Sequence, residues 1–472
     1  MSRIKIVATI GPTTCDAVTL GALCEAGMDI ARLNGSHNQL DWHRTVIERL
    51  REMAPAVPIL LDLPGRKIRV ANLPTDVRFQ AGDTIVFTTA QDGGGDKVPI
   101  NAPALHGVVS KQDSVLVDDG QFAFTVVDVG EHDLVCQAQT SGTLTSAKGL
   151  SIPTALWSGL TTEADKRLIA FACEAGVDFI GASFIDSAQQ LEAIRMLIGS
   201  ERPRIIAKIE TPKAMQQLEE ILESADAIMI DRGDLSTETR DLERVVLHQK
   251  RILASARRVY KPVIIATEML HSMVRAPVPT KAEVSDISNA VLDGASAVML
   301  SAETAVGAYP IEAVKTMRRI VDAVSLHRSR AAEEIAASSR TIPEAVGEAI
   351  ALLCRQLPIT KIVAITKSGY AARAIATHHP VQPILAVSDD AAAARSFQLF
   401  AGTEGVHVDV PFSRTSTDHI PRCLEVLWRR EQLTDEDIIL VTAVGYPRAG
   451  NRMNLIQTFR VADLRENLGW RR

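Results

Sequence analysis

The chain has 472 residues, 46% of them hydrophobic, and carries 51 Lys and Arg against 57 Asp and Glu for a formal net charge of -6. That length exceeds what one hydrophobic core usually organises, so several domains are expected. The acidic balance offers no footprint for nucleic acid, and the opening MSRIKIVATIG enters a strand-like run with no apolar stretch suited to a signal peptide or membrane span, so a cytoplasmic protein without a membrane partner is expected.

Apolar runs fall at 4–10, 29–33, 57–61, 179–183, 204–209, 227–231, 263–267 and 297–300, mostly separated by stretches of helical periodicity such as 14–26, 38–54 and 243–259. Eight strands alternating with helices predict a (β/α)8 TIM barrel over 1–69 and 157–330. Between about 70 and 156 the alternation breaks. IVFTT, VLVDDG, FAFTVVDV and LVCQAQT, with Gly-rich turns between them, predict an inserted small β-barrel domain that would lie over the active face as a lid. The polar stretch AAEEIAASSRT marks a linker near 331–341. Beyond it, a helix at 343–356, the strands KIVAI, PILAV and DIILV, and the helical YAARAIATHH predict an open, mostly parallel α/β domain within 331–472. Cys15, Cys24, Cys136, Cys173, Cys354 and Cys423 show no metal-like spacing and are read as free thiols in a reducing compartment.

The chemistry gathers where barrel strands end. IIAKIE stops on Lys208 and Glu210, AIMIDRGD on Asp234, and VIIAT on Thr267. In this fold, catalytic groups come from the C-terminal ends of several strands. Lys208 and Glu210 are two apart and share one side of a strand, so Glu210 and Asp234 can converge on a divalent metal from neighbouring strands. Arg32 and Arg69 offer planar donor forks for a phosphate or carboxylate, and Lys208 a compact charge. Together these groups suit phosphoryl transfer on an anionic substrate. Thr267 can join a proton-handling network, and Ser301 and Glu303 lie on the same rim as capping residues. Ser36 and His37, just after Asn34, can hold ions or nucleotide phosphates.

Eight blocks, in order, resemble the pyruvate kinase family: KIVATIGP at 5–12, ARLNGSH at 31–37, LDLPGRKIR at 61–69, AKIETPKA at 207–214, DRGDL at 231–235, KPVIIATEML at 261–270, PTKAEVSDISNAVLDGA at 279–295 and MLSAET at 299–304. The resemblance implies a glycolytic, Mg²⁺- or Mn²⁺-dependent transfer from phosphoenolpyruvate to ADP, giving pyruvate and ATP, in a homotetramer. It gives Lys208 and Arg32 to the transferred phosphoryl group, Glu210 and Asp234 to the metal, and Arg69 to the arrangement near the phosphate. Gly233, Asp234 and Thr267 fall to the substrate carboxylate and to protonation at C3. Pro12, Asn34, His37 and Lys148 fall to the nucleotide. A phosphotransferase acting on a related enolpyruvate and a metal-dependent lyase working through pyruvate enolate are the competing enzyme readings, with a catalytically inactive relative as the non-enzymatic one.

The chain also departs from the family pattern. Leu63 stands at a potassium-site Thr position and Lys67 at its glutamate position, while Asn34, Ser36 and Asp62 remain; this is similar to potassium-independent members, with the Lys67 ammonium standing in for the ion. Gly35 replaces the usual aromatic of the R-x-N-F-S-H pattern, Asp231 the alanine before RGD, Ser236 a glycine and Asp186 a commonly basic residue. Asp231 and Asp186 are expected to point into salt bridges, the competing reading being an altered substrate or nucleotide preference. Thr366, Lys367, Ser368 and Gly369 resemble a loop that receives an effector phosphate at a helix start, although Ala371 lacks the common hydroxyl.

Overall fold

The computed structural model describes residues 4–90, 97–101, 105–118, 120–152, 161–200, 202–328, 341–413, 416–444 and 453–471. Nearly all of the expected linker at 331–341 lies outside these residues. Eight strands close into a barrel: β1 (Lys5–Thr9), β2 (Ile30–Asn34), β3 (Ile59–Asp62), β4 (Phe179–Ala182), β5 (Arg204–Ile209), β6 (Ala227–Asp231), β7 (Val263–Ala266) and β8 (Ala297–Leu300). All eight are the strands expected from the apolar runs. Every neighbouring pair is parallel, and β1 meets β8 to complete the ring.

Strand periodicity sorts the side chains. Val7, Ile30, Leu60, Phe179, Ile206, Met229, Ile264 and Met299 pack together in the barrel interior. The alternate residues, such as Ile6, Leu61, Ile205, Ile228 and Val298, pack outward with helix residues including Leu20, Leu50 and Ile252. The interior is therefore a packed plug, as in barrels of this type.

The insertion between β3 and β4 leaves those strands paired, Leu60 opposite Phe179 and Asp62 opposite Gly181. It forms a curled seven-stranded sheet whose edge strands, Ile68–Arg69 and Val98–Pro99, are followed by a bridge from Val70 to Ile100 that brings the two edges together. Phe79, Phe87 and Phe124 fill its core, with Phe87 and Phe124 edge to face at 5.3 Å.

The C-terminal sheet comprises β9 (Lys361–Ile365), β10 (Ile384–Ser388), β11 (Thr403–His407), β12 (Ile438–Ala443) and β13 (Leu455–Arg460), in the order β11-β10-β9-β12-β13. Only β13 is antiparallel. It is half-exposed and mixed in character, which is why its sequence carries no strong strand signal. This domain meets the barrel at the N-terminal ends of its strands, where Arg395 pairs with Asp178 at 2.9 Å and Arg202 with Asp390 at 2.8 Å. The opposite mouth is left to the insertion.

Candidate active site at the barrel mouth

The site is the next interior layer above the apolar plug. Moving two residues toward the C-terminal end of each strand keeps the side chain inward. Val7 is thus followed by Thr9, Ile30 by Arg32, Leu60 by Asp62, Phe179 by Gly181, Ile206 by Lys208 and Met229 by Asp231. Arg32, Asp62, Lys208, Glu210 and Asp231 are all buried. Buried charge is tolerated only when paired, and each of these is.

Lys208 Nζ lies 2.7 Å from Glu210 Oε1 and 3.2 Å from Asp231 Oδ2, and donates to Ser183 Oγ at 3.0 Å. Arg32 Nε donates to Asp62 Oδ2 at 2.7 Å, while its Nη1 donates to Thr9 Oγ1 at 2.9 Å. Gly181 makes room for this pair: a Cβ there would stand 1.8 Å from Asp62 Oδ1. Glu210 Oε2 accepts from the Phe184 amide at 2.5 Å.

Thr267 enters the site differently. It follows Ala266, already an inward residue, and adopts φ 66°, with Glu268 at φ 57°. A β-branched residue in the left-handed region is strained and must be held. Arg232 supplies the hold, donating from Nη2 to the Thr267 carbonyl at 2.8 Å while Nη1 pairs with Asp286 at 2.6 Å. The Thr267 hydroxyl consequently reaches Asp231 Oδ1 at 3.2 Å and accepts from the Gly233 amide at 3.0 Å.

Asp234 lies on the short helix Arg232–Thr239 that leaves β6. One oxygen each of Glu210, Asp231 and Asp234 can come within 4.8 Å of the others, a carboxylate group suited to a hard divalent cation. Glu210 and Asp234 were expected there; Asp231 was expected in a salt bridge, which it makes with Lys208, and its place among the carboxylates is additional. Its signal was available two residues after the interior Met229. Ser183 and Thr9 carry no such signal, because small hydroxyls at strand ends are ordinary in sequence.

Lys67 donates to both oxygens of Asp234, at 2.6 and 2.8 Å. Burial opposes its charge, but Asp234 and Asp231 prevail and raise its pKa. Lys208 is raised in the same way, burial being outweighed by Glu210, Asp231, Asp62 and Asp234. Burial and the neighbouring acids raise Asp234 and Glu210, whereas Lys208 and Lys67 overcome burial to lower Asp231. Both lysines are therefore firmly cationic. The Lys67 ammonium sits on the metal side of the site, while Asp62 is occupied by Arg32, and Asn34 Oδ1 accepts from the Ser36 amide at 3.1 Å. His37 is exposed at the rim near Arg69, Arg32 and Lys67; partial desolvation and those charges lower its pKa.

The remaining expected residues are more dispersed. Lys148 pairs with Asp118 at 2.8 Å inside the insertion, and Arg69 Nη1 donates to the Ala147 carbonyl at 2.9 Å. Pro12 lies in the turn after β1, where its carbonyl faces Cys15 Sγ at 3.7 Å. Asp186 pairs with Arg66 and accepts from Thr211, and Ser236 Oγ donates to the Gly233 carbonyl at 2.9 Å. A cavity of about 290 Å³ between barrel and insertion is lined by Arg66, Lys67, Ser151, Asp186, Lys213 and Glu238, among others. Gly35 has a steric reason: a Cβ would stand 2.4 Å from the Asp62 carbonyl oxygen and 2.9 Å from Leu168. At the other end of the molecule, Gly369 N donates to Thr366 Oγ1 at 3.1 Å, the Ser368 carbonyl accepts from Arg204 at 2.9 Å, and Lys367 pairs with Asp389 at 3.2 Å.

Two family profiles match this chain: "Pyruvate kinase, barrel domain" over residues 1–314 and "Pyruvate kinase, alpha/beta domain" over residues 344–457. The pyruvate kinase of Agrobacterium vitis is 36% identical over 468 residues, covering 96% of each chain. That of Mycobacterium intracellulare is 37% identical over 470 residues, covering 98% of this chain and 99% of its own. That of Thermococcus litoralis is 34% identical over 474 residues, covering 96% of this chain and 98% of its own. With both profiles and end-to-end relatives agreeing with the barrel and its charged mouth, the chain belongs to the pyruvate kinase family.

Proposed function

We propose that the charged layer above the barrel plug performs the pyruvate kinase reaction, moving the phosphoryl group of phosphoenolpyruvate to ADP and releasing pyruvate and ATP. The observation that carries this reading is Lys208, buried and firmly cationic between Glu210 and Asp231 at the strand ends.

Lys208 and Arg32 provide positive charge for the phosphoryl group in flight, from positions held by Glu210, Ser183, Asp62 and Thr9. Charge placed in advance at a dry site stabilises a transition state more than mobile charge in water does. The bond from phosphorus to the enol oxygen breaks as the β-phosphate oxygen of ADP forms its own. The enolate then takes a proton at C3. Thr267, held against Gly233 N and Asp231, is positioned to relay that proton and to orient the carboxylate with the Gly233–Asp234 backbone. Arg69 steadies the insertion side through Ala147. A divalent cation, Mg²⁺ or Mn²⁺, held by Glu210 and Asp234 would supply charge neutralisation at the reacting oxygens.

Lys67 acts as an internal cation, so turnover needs no potassium; its bond to Asp234 supports this, with Asn34, Ser36 and Asp62 completing the surroundings. ADP binds at Pro12, Asn34 and His37 beneath the insertion, and Lys148 joins it by leaving Asp118. Thr366, Lys367, Ser368 and Gly369 receive a phosphorylated effector, for which Lys367 must be shared with Asp389. The family supports a homotetramer, as do the exposed Leu242, Val246 and Leu247. All six cysteines are free, and among the described residues no helix is long and apolar enough to cross a membrane; the free thiols support a cytoplasmic setting.

The test is turnover of phosphoenolpyruvate and ADP by the purified protein with Mg²⁺. Pyruvate and ATP are expected in equal amounts. No product above a no-enzyme control, across nucleoside diphosphates and with both Mg²⁺ and Mn²⁺, refutes the reading.

A further inference from the structure

We infer that Asp231 is a third protein carboxylate of the divalent-cation site, alongside Glu210 and Asp234, and sets how tightly this chain holds the ion. The inference deepens the metal-dependent reading above and rests on it.

Asp231 occupies the same inward layer as Lys208, and one of its oxygens converges with those of Glu210 and Asp234 within 4.8 Å. Without the cation, two ammoniums serve three carboxylates. Lys67 takes both oxygens of Asp234 at 2.6 and 2.8 Å, and Lys208 stands 2.7 Å from Glu210. Asp231 stands between Lys208 and the Thr267 hydroxyl. Both contacts of Asp231, from Lys208 and from the Thr267 hydroxyl, are 3.2 Å long. A charge-assisted N–H···O bond is ordinarily about 2.7–2.9 Å, so Asp231 is the more distant of the two carboxylates that face the Lys208 ammonium.

A second feature points to the same ligand. Glu210 is fully buried, its Oε2 is taken by the Phe184 amide, and its Oε1 faces the Lys208 ammonium at 2.7 Å with no other protein donor. A carboxylate oxygen has two acceptor sites, so Oε1 keeps capacity for an ion beside that ammonium.

The charges fit as well. Arg32 and Asp62 neutralise each other, leaving Lys67 and Lys208 against Glu210, Asp231 and Asp234: two positive and three negative groups, a balance of -1. A divalent ion turns this to +1, still attractive to an anionic substrate. Hard divalent cations bind more tightly as the count of charged oxygen ligands rises. Asp231 therefore raises ion affinity at the expense of some attraction for the anion.

Mn²⁺ titration of the full chain without substrates, following free Mn²⁺ by its paramagnetic resonance signal, tests this directly. Asp231→Asn is expected to weaken Mn²⁺ binding on the order of 10- to 100-fold. Asp231→Ala, which leaves no buried amide to satisfy, repeats the titration should the Asn variant not fold. Affinity unchanged in a folded variant overturns the inference. Wild-type crystals soaked in Mn²⁺ decide it without a variant: an anomalous peak in coordination contact with an Asp231 oxygen, at about 2.1 Å, supports it. An ion on Glu210 and Asp234 alone, with Asp231 still on Lys208, overturns it. Wild-type turnover separates the two readings, since active protein whose Asp231 ignores Mn²⁺ loses this inference and keeps the pyruvate kinase assignment.

Discussion

Lys67→Met removes one charge from the mouth while keeping an unbranched side chain of similar length. In the wild type, the ammonium lies 2.6 and 2.8 Å from the two Asp234 oxygens, with side-chain exposures of 23% and 13%. Breaking a buried ion pair from one side commonly costs about 3–5 kcal/mol, because the remaining charge is stranded. Here Asp234 is left beside Glu210 and Asp231, so a loss of about 3 kcal/mol in folding stability is expected in the metal-free protein. The functional effect follows from Coulomb attraction. A substrate anion about 6 Å from the lost charge, at an effective dielectric of about 20, forfeits about 3 kcal/mol, or roughly a hundredfold in kcat/KM. Steady-state rates measured with saturating Mg²⁺, in potassium or in tetramethylammonium at equal ionic strength, provide the assay. The wild type should be indifferent to the exchange, and the variant should recover in potassium, whose ion can enter the vacated region. A variant within about threefold of the wild type in tetramethylammonium, or a wild type that itself requires potassium, would refute the internal-cation argument.

Lys208→Met should lower phosphoryl transfer by about 10²–10³-fold while sparing much of the deuterium uptake at C3 of pyruvate, read by proton magnetic resonance; equal loss of both would show that Lys208 organises the whole site. Gly181→Ala drives a Cβ to 1.8 Å from Asp62 Oδ1, so Asp62 must shift and release Arg32; urea unfolding should show a loss of about 3 kcal/mol, together with a higher KM for phosphoenolpyruvate. Glu238 accepts from Ser151 of the insertion at 2.6 Å, and burial pushes its pKa from 4.5 to about 6. Because the folded pKa is the higher one, ionising Glu238 costs stability as pH rises from 4.5 to about 6, and the cost is complete above that range. Glu238→Gln should therefore stabilise the protein by about 1–2 kcal/mol at neutral pH, and the difference should vanish below the unfolded-state value; a pH-independent difference in thermal unfolding would exclude this cause.

The eight barrel strands and most of the charged mouth were legible in the sequence because both depend on local order. A run such as IIAKIE records its own burial and, through the two-residue period, the side on which Lys208 and Glu210 emerge. The same period pointed inward for Asp231, but its membership of the carboxylate group depends on how far β6 rises beside β5, a relation set only when the barrel closes. Lys67 and Asp234 are 167 residues apart, and no periodicity links a turn after β3 to a helix after β6. Thr267 was legible as a strand-end hydroxyl; its left-handed backbone, held by Arg232 and Asp286, was not. Gly35 looked like a departure from a pattern until the Asp62 carbonyl and Leu168 were seen to leave no space for a side chain. Alternation along a strand is a property of one segment, whereas the distances among charges depend on the packing of many, so sequence determined which residues could reach the mouth and tertiary structure decided which of them meet.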